Sequence, residues 1–308
     1  MARSASVKKT FAFLTIALAL TLTFSSSLYA QDSTVSMLDL VKDSAQTDYI
    51  TNAFKSTRVI NGQSIEMLGA GSLDFRILHR FGPVNSGAGQ FFGLDQSTVR
   101  LSFDYAPYND LLVGFGRSTV KKELDGFAKY RLLHQSRGDR DMPVSVILVA
   151  GVTCWTGPYA DPTIANYFSS RLAFYQQVLV GSKISDEFTL QISPTLIHQN
   201  LTLFKSDPHD IYALGVGGRI KITNRISFTF DWYHPFNLIR SQVINGSTVL
   251  KFDPIAVGFD IETGGHVFQV HLSNSIGMNE RAFITETYYN WANGGIQLGF
   301  NISRIFQL

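Results

Sequence analysis

Hydrophobic and polar residues alternate along most of this chain. The pattern is clearest near the C-terminus, where apolar side chains occupy the even positions from Ile296 to Ile302 and polar or small ones the odd positions from Gln297 to Ser303. A period of two is typical of a β-strand with one apolar and one polar face. Similar alternation occurs in residues 99–105, 168–180, 226–232 and 266–273.

Less regular strands are predicted to start near seven further positions: Leu73, Leu111, Gly126, Pro143, Phe188, Ile211 and Lys251. The total is about 12 strands, within a range of 10 to 14, and single-chain bacterial barrels use even numbers of 8 or more. A short extra strand could also form around residues 283–288. The pattern predicts an all-β fold, an antiparallel transmembrane β-barrel.

The composition excludes several other classes of protein. Charged residues make up 16% of the chain, aromatic residues 13% and hydrophobic residues 45%, with a net charge of +2. This hydrophobicity excludes intrinsic disorder, and the balanced charge gives no basic surface for nucleic acid. A disulfide scaffold is excluded because Cys154 is the only cysteine.

The first 30 residues have the pattern of a secretory signal peptide. Lys8 and Lys9 precede a short apolar stretch, and Ala30 is a small residue suited to cleavage. Beyond it, no apolar run approaches the ~20 residues of a membrane helix. We therefore expect export through the inner membrane and a closed barrel in the outer membrane, because open sheet edges are not tolerated in lipid. The predicted parts are residues 1–30 (signal peptide), 31–68 (N-terminal periplasmic segment) and 69–308 (barrel).

A secreted β-sandwich or propeller would also show alternating strands. The barrel is favoured because aromatic residues fall near the strand ends, as in the aromatic girdles at membrane interfaces. In addition, the alternate strand positions occupied by polar residues include charged ones, which suit a water-filled lumen better than a dry core. The polar residues predicted to face the lumen are Arg100, Asp104, Arg171, Asp231, Gln269, His271 and Ser273.

The segment before the barrel differs from the rest of the chain. Residues 37–41 could form a short amphipathic helix. The segment could lie at the periplasmic mouth, plug part of the lumen, or remain a mobile leader. For the lumen itself, the sequence favours a packed or narrow interior over an open channel.

Several stretches resemble an uncharacterised outer-membrane β-barrel family of the Bacteroidota. They are residues 56–66, 73–77, 79–82, 93–95, 125–133, 258–269 and 299–304. Together they extend over nearly the whole chain after the signal peptide. The resemblance implies an outer-membrane barrel, and it implies no activity because the family is a domain of unknown function.

One short motif suggests chemistry. His271-Leu272-Ser273-Asn274 resembles the catalytic strand of outer-membrane phospholipases and lipid A deacylases. Period two places His271 and Ser273 on one face, where the imidazole could accept the hydroxyl proton, and Glu286 could orient the histidine. However, those enzymes attack lipid from outside the barrel, whereas this pair shares its parity with Gln269 and would face the lumen. A hydrogen-bond network of lumenal polar residues is the preferred interpretation.

No metal site or cofactor is predicted, because the histidines are scattered and no metal-binding or haem motif occurs. The function we expect is that of a passive small-solute pore or a structural or ligand-binding barrel, with the lipid acyl hydrolase as the alternative. The expected partners are outer-membrane lipid, the barrel-insertion machinery acting on the C-terminal strand, and small solutes.

Overall fold

The fold is described by a computed structural model. It describes residues 46–159, 167–202, 206–244 and 246–308. The predicted signal peptide, its cleavage site and the helix predicted at residues 37–41 lie outside these ranges. Of the predicted periplasmic segment, residues 46–68 are described.

Twelve strands form the wall of a closed barrel. In chain order they are β1 (Ser72–Pro83), β2 (Ser97–Tyr108), β3 (Leu111–Ser118), β4 (Glu123–Leu133), β5 (Ser145–Trp155), β6 (Leu172–Lys183), β7 (Phe188–Gln199), β8 (Asp210–Lys221), β9 (Ile226–Pro235), β10 (Ile255–Thr263), β11 (His266–Ser273) and β12 (Gln297–Gln307). Each strand pairs antiparallel with the next, and β12 closes the barrel on β1. The predicted 12-stranded antiparallel barrel is therefore confirmed.

The two ends of the barrel differ. At one end, which we call the terminal end, Ser72 of β1 pairs with Gln307 of β12. Here the connections at residues 109–110, 222–225 and 264–265 are short. At the other end, the loop end, the connections at residues 84–96, 236–254 and 274–296 are long.

The side chains of the wall alternate as the sequence predicts. On β2, Arg100, Ser102 and Asp104 are at most 1% exposed, whereas Leu101 and Phe103 are 46% and 51% exposed. On β12, residues 297, 299, 301 and 303 are buried inside, while the even positions from Leu298 to Ile302 lie on the outer face. The outside of the barrel is thus an apolar surface suited to lipid, and the inside is largely polar.

The expectation of an extra strand around residues 283–288 is wrong. The connection between β11 and β12 instead contains a short helix, α1 (Glu280–Thr285), all of whose residues are buried. The Asn279 side chain caps α1 by accepting a hydrogen bond from the Ala282 amide at 2.9 Å. The adjacent apolar residues Phe283 and Ile284 also break the period of two. In the described part of the chain, no helix is long and apolar enough to cross a membrane.

Two small antiparallel ribbons extend the ends of the barrel. Thr47–Tyr49 pairs with Ser136–Gly138, which belongs to the connection between β4 and β5 at the terminal end. Ser241–Ile244 pairs with Ser247–Leu250 at the loop end. The first ribbon fixes the chain at the rim directly before it enters the barrel.

Candidate functional site: a lumen filled from both ends

Residues 53–68, which we call the plug, fold into the lumen from the terminal end. They form a hairpin in which Arg58 bridges to Gln63, and the Val59 amide donates to the Gly62 carbonyl at 2.9 Å. Most of the plug is buried, and Phe54, Val59 and Ile60 are at most 1% exposed. Backbone buried in this way needs hydrogen-bond partners, which the barrel wall supplies.

The tip of the plug is bound by one carboxylate of the wall. Oδ2 of Asp231 on β9 accepts hydrogen bonds from the amides of Ile60, Asn61 and Gly62 at 3.2, 2.7 and 3.1 Å. The Asn61 side chain donates to the other oxygen, Oδ1, at 3.2 Å. Successive amides that converge on an anion form a nest, and charge-assisted hydrogen bonds of this kind are the strong ones.

Other strands bind the plug from around the barrel. Gln269 on β11 donates to the Val59 carbonyl at 2.7 Å. Gln191 on β7 accepts from the Ile65 amide at 2.9 Å, and Lys129 on β4 donates to the Glu66 carbonyl at 2.6 Å. Because these strands lie on different sides of the barrel, the plug is enclosed by the wall. These hydrogen bonds join polar wall side chains to the plug backbone, and apolar plug residues such as Phe54 and Ile65 belong to one buried cluster with wall residues.

The helix α1 fills the lumen from the loop end. Its Glu280 side chain accepts a hydrogen bond from the Arg58 guanidinium at 3.0 Å, and neither side chain is exposed to solvent. Phe283 of α1 packs edge-on against Tyr233 of β9, with ring centroids 5.0 Å apart. The plug and α1 therefore meet inside the barrel through one buried ion pair.

A second ion-pair cluster holds α1 at the loop end. Arg281 donates to both oxygens of Glu123, at 2.8 and 3.0 Å, and to Glu286 at 2.5 Å. Lys121 also donates to Glu286, at 2.7 Å. Burial of Glu286 opposes its ionisation, but the charges of Arg281 and then Lys121 outweigh it and lower the pKa of Glu286 to about 2.

The wall itself carries paired charges. Arg100 on β2 binds Asp125 on β4 through two hydrogen bonds of 2.8 and 2.5 Å. On β1, Arg76 donates to Asp74 at 2.5 Å and to Thr57 of the plug at 2.7 Å. These pairs keep buried charge neutralised beside the plug.

Six of the seven residues predicted to face the lumen lie on its inner surface, each at most 2% exposed. They are Arg100, Asp104, Asp231, Gln269, His271 and Ser273. For the seventh, Arg171, a lumen-facing position stays a prediction. Arg171 ends the turn Phe168–Arg171 directly before β6, so it has left the strand pleat. Its guanidinium donates to the carbonyls of Trp155 and Gly157 and stacks on Tyr159, 3.7 Å from the ring centroid.

The residues of the hydrolase alternative are not assembled. Among the described residues, neither ring nitrogen of His271 has a hydrogen-bond partner. The Ser273 hydroxyl instead accepts from Asn61 at 3.4 Å and from the Ser275 amide at 3.1 Å. Glu286 is engaged by Arg281 and Lys121. The three side chains therefore do not form a nucleophile, base and orienting acid.

Sequence reasoning offers a partial plug as one of three roles for the segment before the barrel, but it does not identify the residues that fill the lumen. Arg58 and Asn61 of the plug and Glu280 of α1 belong to segments without a clear period, and their partners are between 170 and 222 residues away along the chain. Two signals point to this region: the departure of the segment before the barrel from the strand pattern, and the family resemblance of residues 56–66. The contact between Arg58 and Glu280 depends on two loops that fold into the barrel. It therefore cannot be predicted from the distance between the two residues along the chain.

Comparison with known proteins supports the fold. A family model described as "Membrane bound beta barrel domain (DUF5777)" matches residues 54–306. Among curated proteins no match was found.

Solved structures to which this chain is similar include the KdgM porin and the COG4313 outer membrane channel from Pseudomonas putida F1. The KdgM porin has 9% identity and a TM-score of 0.43, with 77% of this chain and 99% of that chain covered. The COG4313 channel has 14% identity and a TM-score of 0.46, with 79% of this chain and 98% of that chain covered. LpxR from Salmonella typhimurium is also similar, at 10% identity and a TM-score of 0.35, covering 77% of this chain and all of the other.

The family model includes the plug as well as the barrel, from Phe54 to Phe306. The chain therefore belongs to the membrane-bound β-barrel domain family DUF5777, a domain of unknown function.

Proposed function

We propose that this protein is a passive outer-membrane channel for small solutes that is closed by its own plug and conducts when the plug leaves the lumen. The observation that carries the proposal is the chemistry of the plug contacts. A permanent core needs only apolar packing, to which plug residues such as Val59 and Ile65 do contribute. Here wall side chains hydrogen-bond the backbone of residues 59–66. Water can replace such contacts when the plug moves, because folding exchanges protein–water for protein–protein hydrogen bonds.

The size of the barrel supports the same proposal. Eight strands already enclose a space that side chains can fill, and the diameter grows with strand number. Twelve strands leave room for inserted segments, which the plug and α1 occupy. Removal of the plug would expose many charged and amide side chains of the wall, the kind of groups that line water-filled barrels, beside an apolar sector that includes Ile147, Tyr175 and Ile197. We place the terminal end, with its short turns, on the periplasmic side.

A reversible disulfide between plug and wall tests this function. A Cβ atom added at Gly217 on β8 would lie 3.1 Å from Cγ2 of Val59. This close approach suits a disulfide, in which the Cβ atoms are ~3.8 Å apart. Val59→Cys with Gly217→Cys, in a Cys154→Ala background, should lock the plug in place. In planar bilayers we expect the oxidised protein to be silent and the reduced protein to show discrete openings.

Each single-cysteine variant serves as the matched control, since it contains the same substitution without the cross-link. Both should conduct in oxidising and reducing buffer alike. Equal silence of the oxidised, reduced and single-cysteine proteins would contradict a channel and favour a structural or ligand-binding barrel. Equal conductance of the oxidised and reduced proteins, with the disulfide verified, would show that the plug does not control the current.

A further inference from the structure

A cavity of about 540 Å³ lies at the terminal end, between the plug and the rim of the barrel. Four parts of the chain line it. They are residues 49–51 and 53 at the entry to the plug, residues 65–69 at its exit, the turn residues 109–110, and residues 131–135, 140, 142 and 145 from the end of β4 to the start of β5. Small-molecule sites have volumes of ~300–1,000 Å³, so this cavity has the size of a ligand site.

The cavity has an apolar side and a cationic side. Ile65, Met67 and Leu68 of the plug provide the apolar side. Arg131, whose side chain is 12% exposed, also lines the cavity. Its Nε is buried and has no hydrogen-bond partner in the described part of the chain. The carboxylate of Asp110 is 3.6 Å from its Nη1 atom and 58% exposed, so it neutralises the guanidinium only weakly.

The other titratable groups at the cavity, besides Arg131 and Asp110, are His134, Glu66 and Arg140. His134 Nε2 lies 2.8 Å from the Ile50 carbonyl, and its Nδ1 lies 3.1 Å from Arg131 Nη1. This arrangement fits a neutral ring that donates through Nε2 and accepts through Nδ1. Burial, followed by the charge of Arg131, lowers the pKa of His134. Burial raises the pKa of Glu66, while the Phe54 amide, which donates to its carboxylate at 3.2 Å, and the charges of Arg131 and Lys129 act in the opposite direction. Arg140 also lines the cavity and adds positive charge.

We propose that this cavity binds a small amphiphile with an anionic head group, such as a medium-chain carboxylate. The head group lies against Arg131, and the apolar chain lies along Ile65, Met67 and Leu68. Because about half of the lining belongs to the plug and its approach, the site is complete only while the plug is in the barrel. If the plug controls a channel as proposed above, the ligand stabilises the closed state by mass action.

Binding is tested with octanoate by saturation-transfer NMR on the full-length protein in nanodiscs, with empty nanodiscs as the blank. Arg131→Gln should weaken octanoate binding about tenfold or more, because a charge-assisted contact is lost. Arg137→Gln is the matched control, since Arg137 is exposed on the same rim and does not line the cavity. Octylammonium should not bind. Leu133→Trp, which narrows the cavity from the rim, provides a second variant should Arg131→Gln fail to fold.

The effect on the plug is measured separately. Val59→Cys in the Cys154→Ala background introduces a single thiol, which we call the plug thiol, and it reacts with a maleimide only when the plug leaves the lumen. Octanoate should slow this reaction in a saturable way, and Arg131→Gln should remove the effect. Absence of saturable octanoate binding, or equal binding of octylammonium, overturns the site. If the plug thiol never reacts without octanoate, the channel function fails while the NMR result still decides the site.

Discussion

Arg58 of the plug and Glu280 of α1 form an ion pair of 3.0 Å in which neither side chain is exposed. One residue enters the barrel from the terminal end and the other from the loop end. This contact joins the two segments that fill the lumen. A change in one segment therefore destabilises the other, because a buried charge without its partner is energetically costly.

We expect Glu280→Gln to loosen the plug by about 3–5 kcal/mol, because Arg58 would remain buried without its counter-charge. Maleimide labelling of the plug thiol should become faster by on the order of 100-fold or more. The control is Glu262→Gln, which removes the partner of Lys55 at a half-exposed pair and should cost about 1 kcal/mol or less. Equal labelling rates in the two variants would contradict a central role for the buried pair.

Asp231→Asn should release the tip of the plug. The new amide can present its oxygen to some of the donors, but its NH2 group cannot accept from them, and the negative charge is lost. Amide hydrogen exchange at residues 60–62 should accelerate. Asp260→Asn is the comparison, because Asp260 is equally buried but bonds to Thr229 and Gln269 and not to the plug. Unchanged protection at residues 60–62 in Asp231→Asn would refute the nest.

Gly62→Ala should displace the plug for steric reasons. A Cβ atom at Gly62 would lie 1.9 Å from the Tyr233 hydroxyl oxygen, far inside van der Waals contact. At Gly69, by contrast, the nearest atom to an added Cβ is Ser72 Oγ at 3.9 Å. Conductance or labelling of the plug thiol should increase in Gly62→Ala and not in Gly69→Ala. Restoration of closure by Tyr233→Ala in the Gly62→Ala background would show that the ring is the obstacle.

The cluster at the loop end should make stability depend on pH. Because the pKa of Glu286 is lowered to about 2, its contribution is present above the unfolded value of 4.5 and is lost as pH falls from about 4.5 towards 2. The shift corresponds to about 3 kcal/mol. When unfolding is monitored by heat-dependent gel migration, the stability of the parent protein should fall between about pH 4.5 and 2, and this loss, the acid limb, should be smaller in Glu286→Gln. Glu187→Gln, at an exposed turn of the terminal end, should leave the limb unchanged.

The unassembled His271 and Ser273 pair predicts no lipid hydrolysis. We expect the refolded protein to release no fatty acid from phospholipid or lipid A, and Ser273→Ala to behave as the parent protein does. Release of fatty acid by the parent protein and its loss in Ser273→Ala would restore the hydrolase alternative. Heat-dependent gel migration of each preparation serves as the control, because it shows that a protein without activity is nevertheless folded.

The wall was predictable from the sequence because lipid outside and polar groups inside impose a period of two on each strand. Phe103 and Asp104, for example, reveal their faces through their own chemistry. The filling of the lumen was not predictable in the same way. Asn61 binds Asp231, which lies 170 residues further along the chain, and the sequence around neither residue indicates this partner. Arg171 directly precedes the first residue of β6, which parity alone does not reveal because it does not show where a strand begins.

The closing pair of the barrel has a consequence for how the chain folds. The plug precedes β1, yet it contacts β7, β9 and β11, and β1 finds its second neighbour only when β12 arrives. The hairpin must therefore be in place before the seam between the first and last strands forms, or thread through the terminal opening afterwards. Either route makes assembly dependent on contacts of very long sequence separation, which are slow to form. A variant that weakens the plug would then alter the rate of barrel closure as well as the finished channel.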